Sequence, residues 1–157
     1  MQRAHSLPPN SWNLAIGSKP PGRLTYTQLL NTRGGIEADL TVARLSEDRF
    51  YIVTGTGFRT HDLAWIRDHL PEGAKLDLTD VTEQWGTLSL MGPRARDVLA
   101  AATRSDVSNA GFPFGHVREI EIAGVTLRAL RITYVGELGW ELYIPTEFTA
   151  HVFEVLQ

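Results

Sequence analysis

The sequence contains no cysteine among its 157 residues. Disulfides, zinc–thiolate sites, iron–sulfur clusters and cysteine nucleophiles are therefore excluded for this chain. A basic excess is also lacking, because 15 Lys and Arg stand against 18 Asp and Glu, for a formal charge of −3. Nucleic acids and anionic membrane surfaces select for basic proteins, so we expect neither as a partner.

Several other patterns are missing as well. No apolar run approaches the roughly 18–20 residues of a membrane helix, and the first residues lack the apolar core of a signal peptide. The five histidines include no pair at i, i+4 and no carboxylate cluster at ligand spacing, so we expect no metal site. No Gly-x-Ser-x-Gly motif supports a serine hydrolase. What remains is 43% hydrophobic residues, enough to bury a core.

Residues 1–22 differ from the rest of the chain. They hold four of the eight prolines and show no sustained periodicity, which predicts an irregular proline-rich arm. The pattern then changes to alternation, with apolar Ile36, Ala38, Leu40 and Val42 on one face of a strand. Because a Gly-Gly turn at 34–35 separates this strand from one beginning at Leu24, the sequence predicts an antiparallel hairpin.

The remaining elements follow from the same periodicities. We predict helices beginning at Thr56 or Gly57, at Gly92-Pro93 and at Thr146, the first ended by Pro71. The predicted strands after the hairpin cover residues 49–53, 75–81, 85–90, 117–122, 125–134 and 142–144. Together they indicate an α+β fold of antiparallel sheets with flanking helices. With a boundary near Thr82, residues 23–82 form one lobe and residues 83–157 a second, truncated one.

The last predicted helix keeps its apolar register to the final residue, with a stripe of Phe148, Val152, Val155 and Leu156. An amphipathic stripe needs a covering layer, so we expect the chain to be a piece of something longer and to self-associate, for example as a homodimer.

The stretch from Gly55 to Thr60 is glycine-rich and lies between a strand and a helix. That is the context of a dinucleotide-binding turn, but Thr60 occupies the place of the third glycine. A strand-to-helix turn with permissive glycines is the preferred interpretation.

Two carboxylates are candidates for chemistry. Asp39 lies on the strand face opposite the apolar set headed by Ile36, where it is either solvent-exposed or lines a cavity. We expect Tyr26, on the adjacent strand of the hairpin, to have its side chain on the same face. Glu141 follows Trp140 on a strand that two glycines bend. An acid beside an indole suits a planar heterocycle with paired N–H donors, although a structural turn remains an alternative.

Three segments resemble the glycine-cleavage aminomethyltransferase (T-protein) superfamily. They are Tyr26-Thr27-Gln28-Leu29-Leu30-Asn31 with Gly34-Gly35-Ile36-Glu37-Ala38-Asp39-Leu40-Thr41-Val42, then Leu90-Met91-Gly92-Pro93-Arg94-Ala95, then Gly136-Glu137-Leu138-Gly139-Trp140-Glu141-Leu142. The amino-acid sequence of these segments is more similar still to the folate-binding C-terminal half of sarcosine and dimethylglycine dehydrogenases. The resemblance covers residues 23–157 and implies the aminomethyltransferase fold, in part.

The resemblance also implies a function and a site. The family's catalytic aspartate falls on Asp39, its folate-contacting tyrosine on Tyr26 and its pterin-binding glutamate on Glu141, beside Trp140. The cofactor would be tetrahydrofolate, which captures the iminium-level carbon left by oxidation of an N-methyl amine and gives 5,10-methylenetetrahydrofolate. The resemblance also implies localisation in the cytoplasm or in the mitochondrial matrix.

The sequence departs from the family at three places. Gly55 replaces an asparagine that contacts folate, and a segment with a folate-binding arginine would lie beyond Gln157. No Gly-x-Gly-x-x-Gly is present, so FAD would belong to a missing domain or a separate flavin subunit, and the chain would not oxidise an amine by itself. A catalytically silent interaction or regulatory module of the same fold is therefore the alternative function.

Overall fold

A computed structural model describes residues 16–157. The chain divides into two compact units, unit 1 ending at Asp80 and unit 2 comprising Val81–Gln157. The sequence places the boundary near Thr82, two residues further on. Residues 1–15 of the predicted arm lie outside the described residues, and the remainder of the arm consists mostly of turns up to Gly22.

Unit 1 contains a three-stranded antiparallel sheet and one helix. Strands β1 (Leu24–Leu30), β2 (Ile36–Arg44) and β3 (Phe50–Thr54) pair in the order β1-β2-β3. A 3-10 turn (Thr56–Phe58) leads into helix α1 (Arg59–Asp68). The alternation on β2 gives the sheet one apolar face, and α1 contributes to the same core. The buried cluster comprises Leu29, Ala38, Leu40, Val42 and Ile66.

The β1–β2 turn is held by backbone and side-chain hydrogen bonds. Gly34 has φ +80°, a conformation that favours glycine, and its N–H donates to the carbonyl of Asn31 at 2.9 Å. The Oδ1 atom of Asn31 accepts the N–H of Gly35 at 2.9 Å. The length and register of the predicted hairpin are thereby fixed.

Two expectations about unit 1 are wrong. Ile36 is 60% exposed, because a register shift between Leu29 and Leu30 takes it off the core face that Ala38 begins. The predicted strand at residues 75–81 is absent, and these residues form no ladder. Leu78 packs against the core and Asp80 accepts a 2.7 Å bond from the Arg59 Nε, so side-chain contacts hold an irregular segment.

Unit 2 contains a four-stranded antiparallel sheet with helices. Its strands are β4 (Trp85–Met91), β5 (Val117–Ile122), β6 (Val125–Leu130) and β7 (Gly139–Pro145), in the order β4-β7-β6-β5. Helices α2 (Ala95–Ala102) and α3 (Thr149–Leu156) complete the unit. Among the residues buried in its core are Leu99, Phe112, Leu127, Trp140, Leu142 and Val152. The predicted α+β class with antiparallel sheets is confirmed.

Unit 2 also differs from expectation in detail. β6 ends at Leu130, four residues early, and β7 begins at Gly139, three residues early. The apolar stripe on α3 is partly covered by the unit itself, since Val152 is fully buried and Leu156 packs against the core. Phe148 and Val155 remain exposed. The expectation of a wholly uncovered stripe is therefore wrong.

Candidate functional site

Tyr26 and Asp39 form a hydrogen-bonded pair on the exposed face of the unit 1 sheet. The Tyr26 hydroxyl donates to Asp39 Oδ2 at 2.7 Å. Tyr26 lies opposite Thr41 and Gln28 opposite Asp39, so Tyr26 and Asp39 are diagonal neighbours across β1 and β2. The predicted geometry, with both side chains on one sheet face, is confirmed.

The burial of the neighbouring residues explains this arrangement. Ala38 and Leu40 are buried on either side of Asp39, and strand alternation therefore directs the carboxylate to the opposite face. Tyr26 is 61% exposed, so the pair presents both an aromatic ring and a negative charge to solvent. The hydroxyl bond fixes the orientation of the carboxylate.

A second polar cluster, centred on Asp62, connects α1 to the sheet of unit 1. Asp62 is 2% exposed, accepts a hydrogen bond from the Thr54 hydroxyl, and lies 2.9 Å from His61 Nδ1 through Oδ1. On the other side of the imidazole, His61 Nε2 is 3.7 Å from Glu37 Oε2, and Glu37 accepts from Asn31 at 2.7 Å. The sequence reasoning missed this cluster, although a His-Asp pair opening a helix was visible.

Glu141 has a hydroxyl partner of its own in unit 2. The Tyr143 hydroxyl donates to Glu141 Oε2 at 2.7 Å. The two residues are two positions apart on β7 and so share a face of the sheet. Glu141 is half-buried and Tyr143 is 5% exposed. The sequence analysis named Glu141 but not Tyr143, which alternation along the strand would have identified.

A buried cation lies next to this pair. Arg128 on β6 is the cross-strand neighbour of Tyr143 and is 5% exposed. Its guanidinium carbon lies 4.8 Å from the Trp85 ring centroid, and a nitrogen lies 3.8 Å from Glu119 Oε1. Stacking and ion pairing therefore fix the position of this charge.

The expectation that the Trp140 indole lies beside Glu141 is wrong. Trp140 is fully buried, with Phe112 at 6.2 Å between ring centroids. Alternation on β7 turns its ring to the face opposite Glu141, into the core. The guanidinium carbons of Arg96 and Arg131 lie 5.3 and 5.5 Å from its centroid. The Trp140 ring is therefore part of the core and is inaccessible to a ligand.

Gly55 precedes the 3-10 turn with φ −64°, an ordinary conformation for any residue. It is exposed, and a Cβ at this position would lie 3.3 Å from the Phe58 ring. Only its backbone can contact a ligand, whereas the asparagine of the resembling family offers a side chain there.

Two ionisable groups of unit 2 have shifted pKa values. Hydrogen bonds from Ser108 lower the pKa of Asp106 below its usual 3.8. Burial, and secondarily the positive charge of Arg96, lowers the pKa of Arg131 below its usual range. Arg131 donates to the Phe112 carbonyl and to Asn109 Oδ1, so both guanidinium ends anchor the loop before β5.

Two arrangements are absent from the part of the chain that the structure describes. Within residues 16–157, no group of three or more His, Asp or Glu side chains is arranged to hold a metal ion. No helix in this range is long and apolar enough to cross a membrane.

Comparison with known proteins identifies relatives with long chains. Mouse mitochondrial sarcosine dehydrogenase is 38% identical over 142 residues, which cover 82% of this chain and 16% of the relative. Mouse mitochondrial dimethylglycine dehydrogenase is 37% identical over 134 residues, covering 85% of this chain and 15% of that protein. The chain thus spans about a sixth of the length of these curated relatives.

Comparison with solved structures identifies a further relative. The glycine cleavage system aminomethyltransferase T of Bartonella henselae matches with a TM-score of 0.70 and 29% identity. The match covers 87% of this chain and 35% of that one. The model of the GCVT N-terminal domain matches residues 12–157. These findings confirm the resemblance seen in the sequence, and the chain belongs to the family of the GCVT N-terminal domain.

Proposed function

We propose that the chain is a tetrahydrofolate-binding, aminomethyltransferase-like domain that handles one-carbon units from N-methyl amines and forms 5,10-methylenetetrahydrofolate. Family membership and relatives named for sarcosine and dimethylglycine support this proposal. The observation that carries it is the exposed Asp39 carboxylate, oriented by the Tyr26 hydroxyl at 2.7 Å. Tetrahydrofolate, when bound, supplies the N5 and N10 atoms that accept the one-carbon unit.

Asp39 suits an electrostatic task. A fixed carboxylate stabilises positive charge that develops on a nearby nitrogen, because its orientation requires no reorganisation during the reaction. Tyr26 supplies that orientation and an exposed ring against which a flat ligand can pack. Gly55 adds at most a backbone contact.

Glu141 suits the recognition of a planar heterocycle. Its carboxylate can accept N–H donors of a pterin, and charge-assisted bonds of this kind are about twice as strong as neutral ones. Trp140 takes no part in this proposal, because its ring is in the core.

Partners and localisation are proposed as well. The chain contains no Gly-x-Gly-x-x-Gly, so we assign FAD and amine oxidation to another domain or a separate flavin subunit. A relative named sarcosine oxidase subunit alpha, 33% identical over 146 residues, supports a subunit partner. A homodimer through exposed Phe148 and Val155 remains a second option, which light scattering across a concentration series tests. The mitochondrial relatives support the mitochondrial matrix, and the bacterial ones support the cytoplasm.

The alternative is a regulatory module without catalysis. The observation that favours it is a relative named pyruvate dehydrogenase phosphatase regulatory subunit, from mouse, which is 36% identical over 135 residues. Glycine at position 55, where the resembling family has a contacting side chain, is consistent with it.

Measuring rate and affinity separately tests the proposal. Calorimetry gives the affinity for tetrahydrofolate, and absorbance follows 5,10-methylenetetrahydrofolate formation from formaldehyde. We expect Asp39→Asn to lower the rate about a hundredfold, because a fixed charge is lost, while affinity changes much less. Glu141→Gln should instead weaken binding about ten- to a hundredfold at unchanged melting temperature.

Asp68→Asn is the matched control, since Asp68 is an exposed acid on α1. Equal rates in Asp39→Asn and the parent would overturn the catalytic assignment. A parent chain that binds no tetrahydrofolate would favour the regulatory alternative.

A further inference from the structure

The two oxygens of the Glu141 carboxylate differ. Oε2 accepts the Tyr143 hydroxyl at 2.7 Å. Among the described residues, Oε1 has no hydrogen-bond partner, although the side chain is half-buried. Oε1 is not itself fully buried, so water or a ligand can donate a hydrogen bond to it. The carboxylate is thus held on one side and open on the other.

The Tyr143 hydroxyl is itself held in place. Its residue is 5% exposed on β7, between Thr87 of β4 and Arg128 of β6 in the sheet register. Arg128 is fixed by the Trp85 ring at 4.8 Å. Because the phenol ring is enclosed, the hydroxyl cannot follow the carboxylate if the glutamate side chain rotates, and the bond selects one glutamate rotamer.

We propose that Tyr143 is a positioning residue for Glu141. Its hydroxyl holds Oε2 and leaves Oε1 to accept an N–H donor of the bound heterocycle. The role in ligand recognition rests on the proposed folate function, whereas the effect on the carboxylate exists without ligand.

The surroundings of Glu141 contain few other charges. The residues opposite it in the register are Ser89 on β4 and Leu130 on β6, both uncharged. Arg128, two positions from Leu130, is the cation on the same face of the neighbouring strand. Among the described residues, Tyr143 donates the one hydrogen bond to the Glu141 carboxylate, so its removal should release the glutamate side chain from its fixed rotamer.

The experiment combines two readouts on the whole chain. Carbon-13 NMR of the glutamate carboxyl groups measures the chemical shift of Glu141 at neutral pH without ligand, with Glu141→Gln used to assign its resonance. Calorimetry with tetrahydrofolate measures affinity. We expect Tyr143→Phe to change the chemical shift of the Glu141 carboxyl carbon, because its hydrogen bond is lost, and to weaken folate binding about tenfold. Tyr51→Phe, which removes a phenol hydroxyl from unit 1, should change neither.

A double mutant adds a test of mechanism. If Tyr143 acts through Glu141, Tyr143→Phe should weaken binding no further in the Glu141→Gln background. An unchanged Glu141 chemical shift with unchanged affinity in Tyr143→Phe overturns the inference and leaves the proposed function intact. A changed chemical shift in a chain that binds no tetrahydrofolate overturns the folate function and leaves the hold on Glu141 standing.

Discussion

Each unit contains a tyrosine hydroxyl that donates to a carboxylate at 2.7 Å, but the two pairs are constructed differently. In unit 1, Tyr26 and Asp39 come from different strands, 13 residues apart. In unit 2, Tyr143 and Glu141 lie two residues apart on one strand. The first pair therefore requires the correct hairpin register, whereas the second requires only that β7 is extended.

The supports beneath the two pairs also differ. The unit 1 sheet is backed by aliphatic residues of β1, β2 and α1, and near them the Asp62 carboxyl group is buried. The unit 2 sheet is backed by a core that includes Trp140 and Phe112 at full burial. The stability of unit 2 thus depends on the packing of large rings. The stability of unit 1 depends on aliphatic packing and on a polar cluster whose hydrogen bonds must be formed.

The largest expected effect is on the core of unit 2. Trp140→Ala removes a fully buried ring, and we expect a loss of about 3–5 kcal/mol in the free energy of unfolding. Urea denaturation measures it. Val135→Ala, at a position 62% exposed, is the control and should change stability by less than about 0.5 kcal/mol. A loss below about 1 kcal/mol for Trp140→Ala would contradict the role assigned to this ring.

A smaller effect is expected in unit 1. Asp62→Ala removes the partner of the Thr54 hydroxyl and of His61, so we expect destabilisation by about 1–3 kcal/mol. The same denaturation experiment applies, with Asp68→Ala as the control on the exposed side of α1. If Asp62→Ala and Asp68→Ala lower the free energy of unfolding by equally small amounts, the Asp62 cluster does not stabilise the hairpin.

The smallest effect concerns pH and an exposed acid of unit 2. Hydrogen bonds from Ser108 lower the pKa of Asp106 below 3.8 in the folded chain. The lowered pKa therefore stabilises the folded chain, and this stabilisation is fully present at pH values above the pKa that Asp106 has in the unfolded chain. It is lost as the pH falls through the lower pKa of Asp106 in the folded chain. Asp106→Asn should slightly lower the melting temperature at pH 7 and leave it unchanged well below that pKa. A difference from the parent that grows on acidification would reverse the sign and contradict this prediction.

Periodicity predicted most of the elements because the decisive residues are close in sequence. Alternation around Asp39 correctly predicted that its carboxylate lies on the sheet face opposite the core. The predicted hairpin then placed the Tyr26 side chain on that same face. The prediction for residues 75–81 was wrong, because short apolar runs are compatible with irregular chain held by Arg59 and Leu78. Strand propensity does not reveal whether a partner strand exists.

The site was predictable only in part. Motifs at several positions identified Asp39, Tyr26 and Glu141 as candidates, but the sequence put Trp140 beside the acid, although adjacent residues on a strand face opposite ways. The cluster around Asp62 depends on where α1 begins relative to β3, which is a tertiary relation. Local patterns thus identify faces and leave cross-element contacts undetermined.

The Asn31–Gly35 turn has a consequence for how the chain tolerates changes in length. Because side chains alternate along a strand, losing or gaining one residue in this turn would exchange the faces of Asp39 and Leu40. A change of two residues would restore the faces. The loop before β7 lies upstream of both Glu141 and Tyr143, and its length does not affect their spacing. Insertions and deletions in the first hairpin should therefore obey an even-number rule, which the spacing of Glu141 and Tyr143 does not require.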